Sequence, residues 1–482
     1  MIRVHCRSLM SACLCVLVPV AIARAAVTIT IDHTVTYQTI VGFGGQVNGG
    51  YSGFANDLMN DACVSVLRYD WCGGFDNKAF YDAATEKPVI VASCWSPPGN
   101  WKDNGSSTNG GHLLPAYYDD LADMAVNHLR SFKQTMGGVE LYALSPQNEP
   151  QFATFYNSCI YTGADLIQVM KLMGQRIASA GLTTRIFLPE DMYAAWSANP
   201  YFPPLMQDPA AQAYVHALAF HGYTADGVTA AQMSAGTLSN MYRQTHGKGW
   251  ELWQTENAGS FGMRYAWDVI GCLRYGKVSM YLKYGMIGDA PGLVGDVNEY
   301  YITGGRKTLT YYTAKTIHKF IRRGSVQLKS TSSDSATLSS FVAFRDPARN
   351  ALAVTIVTGS QAQSVQLQGA GLPSTMELWV TNTNTNCVSQ GSQSSSATFN
   401  IPANSVATLY GTGYSPVTAV QGPRAAAVTD ADDDLLRGSV YRLDGRRLEQ
   451  SASGRSLYHG VVIEGNLDAG TRDGLRAAQV SR

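Results

Sequence analysis

The chain has 482 residues, and its 36 Lys and Arg balance its 36 Asp and Glu to a formal net charge of zero. That length suits two to three domains rather than one. A charged fraction of 15% with no basic excess excludes a nucleic-acid binder, which needs a basic face, whereas 26 Tyr, 8 Trp and 47 Gly suit a neutral, ring-shaped ligand such as a sugar.

Residues 1–25 read as a secretory leader. Arg3, His5 and Arg7 form a basic start, the apolar run "LMSACLCVLVPVAIA" follows, and Ala23, Arg24 and Ala25 make a small-x-small cleavage site. The run is short for a membrane span, and no later segment carries about 18 unbroken apolar residues. The expectation is a secreted, extracellular protein with no membrane span. Its cleavage leaves Cys63, Cys72, Cys94, Cys159, Cys272 and Cys387 in an oxidising compartment where disulfides are permitted. Cys63 and Cys72 are expected to lie near each other. No Cys/His spacing fits zinc, so neither a metal nor a cofactor is expected.

Residues 27–45, "VTITIDHTVTYQTIVGFGG", alternate like a strand or two and end in a glycine turn. From 41 to 320, short apolar runs alternate with longer amphipathic ones. "PVIVASC" (88–94), "VELYAL" (139–144), "TRIFLPE" (184–190), "VHALAFHGY" (215–223) and "GWELWQTEN" (249–257) read as strands. Residues 115–137 and 162–181 read as helices. Such alternation implies parallel βαβ units, and its extent fits one (β/α)8 TIM barrel of about 250 residues.

From 321 to 412 the texture becomes short alternating strands set apart by Ser, Thr, Asn and Gly, which predicts a β-sandwich beside the barrel, with residues 26–40 adding strands to it. Residues 413–434 read as a linker. The tail from 435 to 482 holds eight Arg and no Lys. It reads either as a disordered basic segment or as a sorting domain that attaches the protein to the cell surface, since "VYRLDGRRLE" and "GRSLYHGVVIE" loosely resemble bacterial C-terminal sorting domains.

The chemistry starts at "YALSPQNEP". Pro150 ends the strand, and Glu149 stands where a barrel strand would open to substrate. A glycosidic bond is cleaved by a pair of carboxylates, one protonating the leaving oxygen and one on the other face of the ring. Glu256 in "WELWQTEN" also ends a strand, 256 − 149 = 107 residues later. At roughly 30 to 35 residues per βα unit, that is three strands away, close enough to meet over the barrel mouth. Glu190, after "IFLP", is a third carboxylate at a strand end. Arg68, His221 and Tyr223 are candidate donors to an ionised Glu256. Trp95, Trp101 and Trp253 are candidates to stack on sugar rings, each with a plain packing role as the alternative.

These residues resemble glycoside hydrolase family 30. "QTIVGFGG", "SCWSPPGNWKDNGSSTNGGHLLPAYYDDLAD", "YALSPQNEP", "WQTEN" and "TLTYYTAKTIHKFIRRGSV" match that family's motifs in order between residues 28 and 412. The resemblance implies a retaining (β/α)8 glycosidase with a side β-sandwich, Glu149 as general acid/base, Glu256 as nucleophile and Asn148 holding the sugar's 2-hydroxyl. "TFYNSCIYTGADL" and "MYLKYGMIGD" are similar to the bacterial xylanase branch, which implies β-1,4-xylan as substrate. Lys283, or no residue, depending on where a gap is placed, stands where that branch has an arginine for the glucuronate side group of xylan, and Arg and Lys are not equivalent there. The resemblance leaves open a β-1,6-glucan or β-1,6-galactan substrate, and a non-catalytic sugar-binding protein is the reading from another class. A monomer with a polysaccharide partner is expected.

Overall fold

The computed structural model describes residues 25–47, 49–193, 199–224 and 233–416, together with two short strands at 456–458 and 461–463. The expected leader up to residue 24, nearly all of the expected linker and most of the tail lie outside the described residues.

Strand β1 (Val27–Thr39) precedes the barrel. The barrel is closed by eight parallel strands: β2 (Gly42–Gln46), β3 (Val66–Asp70), β4 (Val89–Ser93), β5 (Ala143–Ser145), β6 (Arg185–Tyr193), β7 (Val215–Tyr223), β8 (Glu251–Gln254) and β9 (Met280–Lys283). Alternate residues point to opposite sides of each strand. Val66, Val91, Ala143, Phe187, Ala217, Trp253 and Met280 fill the barrel interior. Leu67, Ile90, Leu144, Ile186, Leu218 and Leu252 face the surrounding helices. The glycines of "GFGG" are needed for closure. A Cβ on Gly44 would stand 1.9 Å from the Val66 carbonyl oxygen, and one on Gly45 would stand 2.4 Å from that of Lys283. Any larger side chain would therefore push β2 off both neighbours.

Helices α1 (Lys78–Ala83), α2 (Tyr118–Thr135), α3 (Gly163–Ser179), α4 (Phe202–Gln207), α5 (Pro209–Gln212), α6 (Ala235–His246), α7 (Met263–Gly271) and α8 (Leu309–His318) link the strands. In α2, Leu121, Ala122, Ala125, Val126, Leu129 and Phe132 form the buried stripe that helical periodicity requires. Thr162 caps α3 by accepting from the Asp165 amide at 3.2 Å. The strand expected over 139–144 shrinks to Ala143–Ser145.

After β9, three short strands, β10 (Ile287–Gly288), β11 (Ile302–Thr303) and β12 (Arg306–Lys307), form a small sheet. The chain then adds β13 (Val326–Ser332), β14 (Phe341–Asp346), β15 (Ala351–Val357), β16 (Gln363–Gly369), β17 (Thr375–Asn382), β18 (Thr385–Ser394), β19 (Phe399–Ile401) and β20 (Val406–Thr412). With β1 they form one nine-stranded sheet in the order β18-β17-β20-β15-β14-β13-β1-β16-β19. The side domain is thus a single hydrogen-bonded sheet rather than two separate ones. It wraps a shared core, in which Ile29 and Val365 from one end pack with Leu378 and Leu409 from the other. β1 pairs antiparallel with β13 and parallel with β16. Strands β21 (Ser456–Tyr458) and β22 (Val461–Ile463) form an antiparallel hairpin.

Polar and aromatic contacts join barrel and sheet. Thr408 donates to the Thr316 carbonyl at 2.6 Å, Thr316 and Thr381 share a hydroxyl contact at 2.7 Å, and the Phe320 ring lies 5.5 Å from Trp379. The disulfide fixes a pairing that the sequence left open. Cys72 pairs with Cys94, and Cys63 is free. The reason is barrel geometry, because β3 and β4 are adjacent and their ends bring Cys72 and Cys94 together across 22 residues of sequence. No helix among the described residues is long and apolar enough to cross a membrane.

Candidate active site

Strand ends deliver the site. Glu149 follows β5 and Glu256 follows β8, the fourth and seventh strands of the barrel in chain order. One carboxylate oxygen of each lies within 4.8 Å of the other and of a His221 ring nitrogen. Glu149 takes a left-handed φ of 44° between Asn148 and Pro150. Few non-glycine residues adopt such a conformation, and it costs energy. Two hydrogen bonds brace the turn: the Asn148 amide donates to the Cys94 carbonyl at 2.7 Å, and the Gln147 side chain donates to the Trp95 carbonyl at 2.8 Å.

Arg68, fully buried on β3, is the hub. It donates to Glu256 Oε2 at 2.6 Å, to Asn148 Oδ1 at 2.6 Å, to Glu190 Oε1 at 3.0 Å and to Ser93 Oγ at 3.2 Å. Trp95 covers its guanidinium at 4.5 Å. On β7, Tyr223 donates to Glu256 Oε1 at 3.2 Å, and His221 Nδ1 meets Glu149 Oε1 at 2.8 Å.

Burial and charge divide the groups. Burial pushes the Glu149 carboxyl above its usual range, and the Glu256 charge adds to that, while His221 and Arg68 pull against it. Burial alone would lower His221, but Glu256, Glu149 and Glu190 raise it to about 9. Burial would raise Glu190, but Arg68 and His221 hold it down at about 2. Glu149, His221 and Glu256 are donor types that a divalent cation takes. With Arg68 on Glu256 and a protonated His221 between the acids, a further cation there is electrostatically opposed.

The remaining expected residues fall elsewhere. Trp253 is a barrel-core side chain whose indole N–H donates to Glu251 at 2.8 Å and Ser279 at 3.0 Å, so it has no face for a sugar. Lys283 is also fully buried. Its ammonium donates to the carbonyls of Ala258 at 3.1 Å and Ser260 at 2.7 Å, and burial pulls its pKa down to about 7. It therefore fastens the loop after Glu256, in place of the expected contact with an acidic side group. Trp101 is half-buried and stacks on Tyr117 at 5.5 Å.

Sequence reading did not single out Ser93, Gln254 or Tyr156. Gln254 donates to the His221 carbonyl at 2.8 Å and to the Glu256 carbonyl, and accepts from the Leu282 amide at 3.3 Å, which ties three strands together beneath the acids. Burial, then Glu149 and Glu256, raises the Tyr156 phenol. Its place beside "QNEP" was the signal available.

No family model matches the chain. A glucuronoxylanase of Bacillus subtilis (strain 168) is 26% identical over 249 residues, which is 48% of this chain and 54% of that protein. The chain thus spans about half the length of the curated relatives it matches. A glycoside hydrolase family 30 subfamily 8 xylanase from Clostridium acetobutylicum superposes with a TM-score of 0.63 and 24% identity, over 80% of this chain and 99% of that one. An endo-β-1,6-glucanase superposes equally well, at 0.63 and 18% identity, over 80% and 93%. In sequence and in fold this chain is similar to the family 30 xylanases.

Proposed function

We propose that the protein is a retaining glycoside hydrolase that cleaves β-1,4-xylan by double displacement. The observation that carries this reading is the spacing of Glu149 and Glu256, with oxygens within 4.8 Å. Retaining enzymes hold their carboxyl groups about 5–5.5 Å apart, whereas inverting enzymes need about 6.5–9.5 Å to admit a water.

Each residue has a task. Glu149 Oε1 faces His221, so its proton sits on the other oxygen and is given to the departing glycosidic oxygen. Glu256 attacks the anomeric carbon from the opposite face and forms a glycosyl-enzyme. Glu149, now ionised, takes a proton from the water that releases the sugar. Arg68 and Tyr223 hold the two Glu256 oxygens in the line of attack. Arg68 occupies Asn148 Oδ1, which leaves the amide nitrogen as a donor to the 2-hydroxyl, a contact that strengthens in the transition state.

Xylan is favoured because a Bacillus glucuronoxylanase and a clostridial xylanase are among the relatives that match. With Lys283 enclosed, dependence on a glucuronate side group is not expected. A β-1,6-glucan substrate is the second reading, favoured by the equal superposition on the endo-β-1,6-glucanase. The N-terminal leader pattern supports action outside the cell.

The test is product mass analysis on glucuronoxylan, arabinoxylan and β-1,6-glucan, paired with Glu256→Ala. Neutral xylo-oligosaccharides from both xylans are expected, with activity lost in the variant and partly restored by azide as a product of inverted configuration. Release from β-1,6-glucan alone would replace the substrate, and normal activity of Glu256→Ala would overturn the nucleophile.

A further inference from the structure

Two acids suffice for the reaction, yet the site holds a third. Glu190 is fully buried, lies within β6 rather than at the strand end expected from the sequence, and takes a left-handed φ of 57°. Its Oε1 lies 3.0 Å from Arg68 Nη2 and 3.7 Å from His221 Nε2. These are the two cations that reach the reacting acids from their other ends, Arg68 Nη1 at Glu256 and His221 Nδ1 at Glu149. Glu190 therefore stands behind both, on the side away from the cleft.

A charge count gives this placement its meaning. In the state ready to react, Glu149 is protonated and Glu256 is ionised. Arg68 and His221 carry two positive charges, and Glu256 supplies one negative charge. Without another anion, the enclosed set would carry a net positive charge, which burial disfavours. The group free to relieve it is His221, by losing its proton, because Arg stays charged. Glu190 closes the count at zero. The other groups around it do not substitute. Ser93 and Tyr223 are neutral, Asn148 is an amide, Asp191 is turned to Gln151 and Asn199, and Asp70, whose carboxyl is pushed up by burial, accepts the Cys72 and Trp95 amides.

We propose that Glu190 is a positioning residue for the reaction, holding Arg68 and a protonated His221 in place behind Glu256 and Glu149. This rests on the roles given above to those two acids. The direction of the shifts agrees: Arg68 holds Glu190 ionised against burial, and Glu190 is one of the charges that raise His221. The strained backbone fits as well, since such conformations persist where surrounding contacts impose them.

The test compares Glu190→Gln, which keeps the shape and removes the charge, with Glu190→Asp, which keeps the charge. His221 is titrated by NMR of its ring nitrogens, and kcat and KM are followed against pH on whichever glycan the wild type cleaves. In Glu190→Gln the His221 midpoint is expected to fall by about one unit or more. kcat is expected to drop roughly 100-fold, the scale of a small misplacement of reacting groups, with little change in KM. Glu190→Asp should restore most of the His221 midpoint and part of kcat. An unmoved His221 midpoint, or losses in both variants that merely track their melting temperatures, would overturn the proposal. If Glu190→Gln does not fold, a wild-type-like midpoint in Glu190→Asp, with kcat lowered and KM preserved, supports the proposal, and a shifted midpoint at unchanged kcat refutes it. If the wild type cleaves no glycan, the hydrolase reading fails, while the His221 titration, which needs no substrate, still decides the role of Glu190.

Discussion

Glu149 Oε1 and His221 Nδ1 meet at 2.8 Å, and both side chains are almost wholly shut off from water. The acid that must give up a proton is thus wired to a base that prefers to keep one. His221 is raised to about 9, above the free-imidazole value of 6.5. A raised folded-state pKa contributes stability that is fully present below the unfolded value and is lost as pH rises through the folded one. The melting temperature should therefore decline between about pH 6.5 and pH 9, and His221→Gln should flatten that decline. An identical pH dependence in the variant would mean that the imidazole does not hold its proton.

Replacing Arg68 should be the most damaging single change. Arg68→Lys keeps a charge but loses the fork that spans Glu256, Asn148 and Glu190. Stranding buried carboxylates costs about 3–5 kcal/mol. We expect a lower urea midpoint and at least a roughly 100-fold loss of kcat, both read on the purified variant.

Tyr223→Phe removes one hydroxyl from Glu256 Oε1. A hydrogen bond to a charged group is worth about 1.5–3 kcal/mol, so kcat should fall by roughly 10- to 100-fold while the fold is kept. Steady-state kinetics beside circular dichroism separates the two effects.

Reduction of Cys72–Cys94 should reach the site as well as the fold. Releasing a closed loop of 22 residues costs about 3 kcal/mol on the chain-entropy account. The Cys94 carbonyl also holds the Asn148 amide, and the next residue, Trp95, covers Arg68. A lower melting temperature and a lower kcat, both recovered on reoxidation, are expected. Loss of stability alone would confine the bond to the scaffold.

Phe155 is 83% exposed on the loop that follows Glu149, with Tyr156 edge-on at 5.4 Å. That loop is pinned to the one after β4, where the Asn109 amide donates to the Thr154 carbonyl at 2.7 Å and the Ser158 amide to the Ser107 carbonyl at 3.0 Å. An aromatic ring held stiffly there can receive a sugar on the leaving-group side. Aromatic contacts of about 0.5–1.5 kcal/mol predict that Phe155→Ala raises KM for polymer about two- to tenfold and leaves the melting temperature unchanged. A fall in stability at constant KM would assign Phe155 to packing.

The barrel was legible because its strands announce themselves as apolar runs stopped by turn residues, and "VHALAFHGY" became β7 residue for residue. The two acids were legible for the same reason, each standing just past such a stop. Partnerships across the barrel were not. Nothing local in "IFLPE" says that Glu190 will meet Arg68, 122 residues away. Nor does "LKYG" reveal that the Lys283 ammonium turns inward to two carbonyls, because both depend on which strands become neighbours on closure. The disulfide pairing was open in the sequence for a related reason. Closeness along the chain says only that Cys63 and Cys72 are near each other, whereas the parallel pairing of β3 and β4 sets Cys94 beside Cys72. For Trp253 the sequence left stacking and packing both open, because an indole inside a barrel and one at its mouth give the same strand pattern, and the structure shows packing.

The pairing of β1 with β13 has a consequence for how the chain comes off the ribosome. Ile29 faces Ser332 in that ladder, 303 residues later, and β16, the other neighbour of β1, is made later still. At about 5–20 residues per second, the newborn strand waits on the order of 15 to 60 s for its first partner while the whole barrel is translated. Through that interval its alternating Val27, Ile29 and Ile31 present an unpaired edge of the kind that recruits other strands. Synthesis speed and chaperone cover over those seconds, rather than the stability of the finished molecule, should set the yield of folded protein.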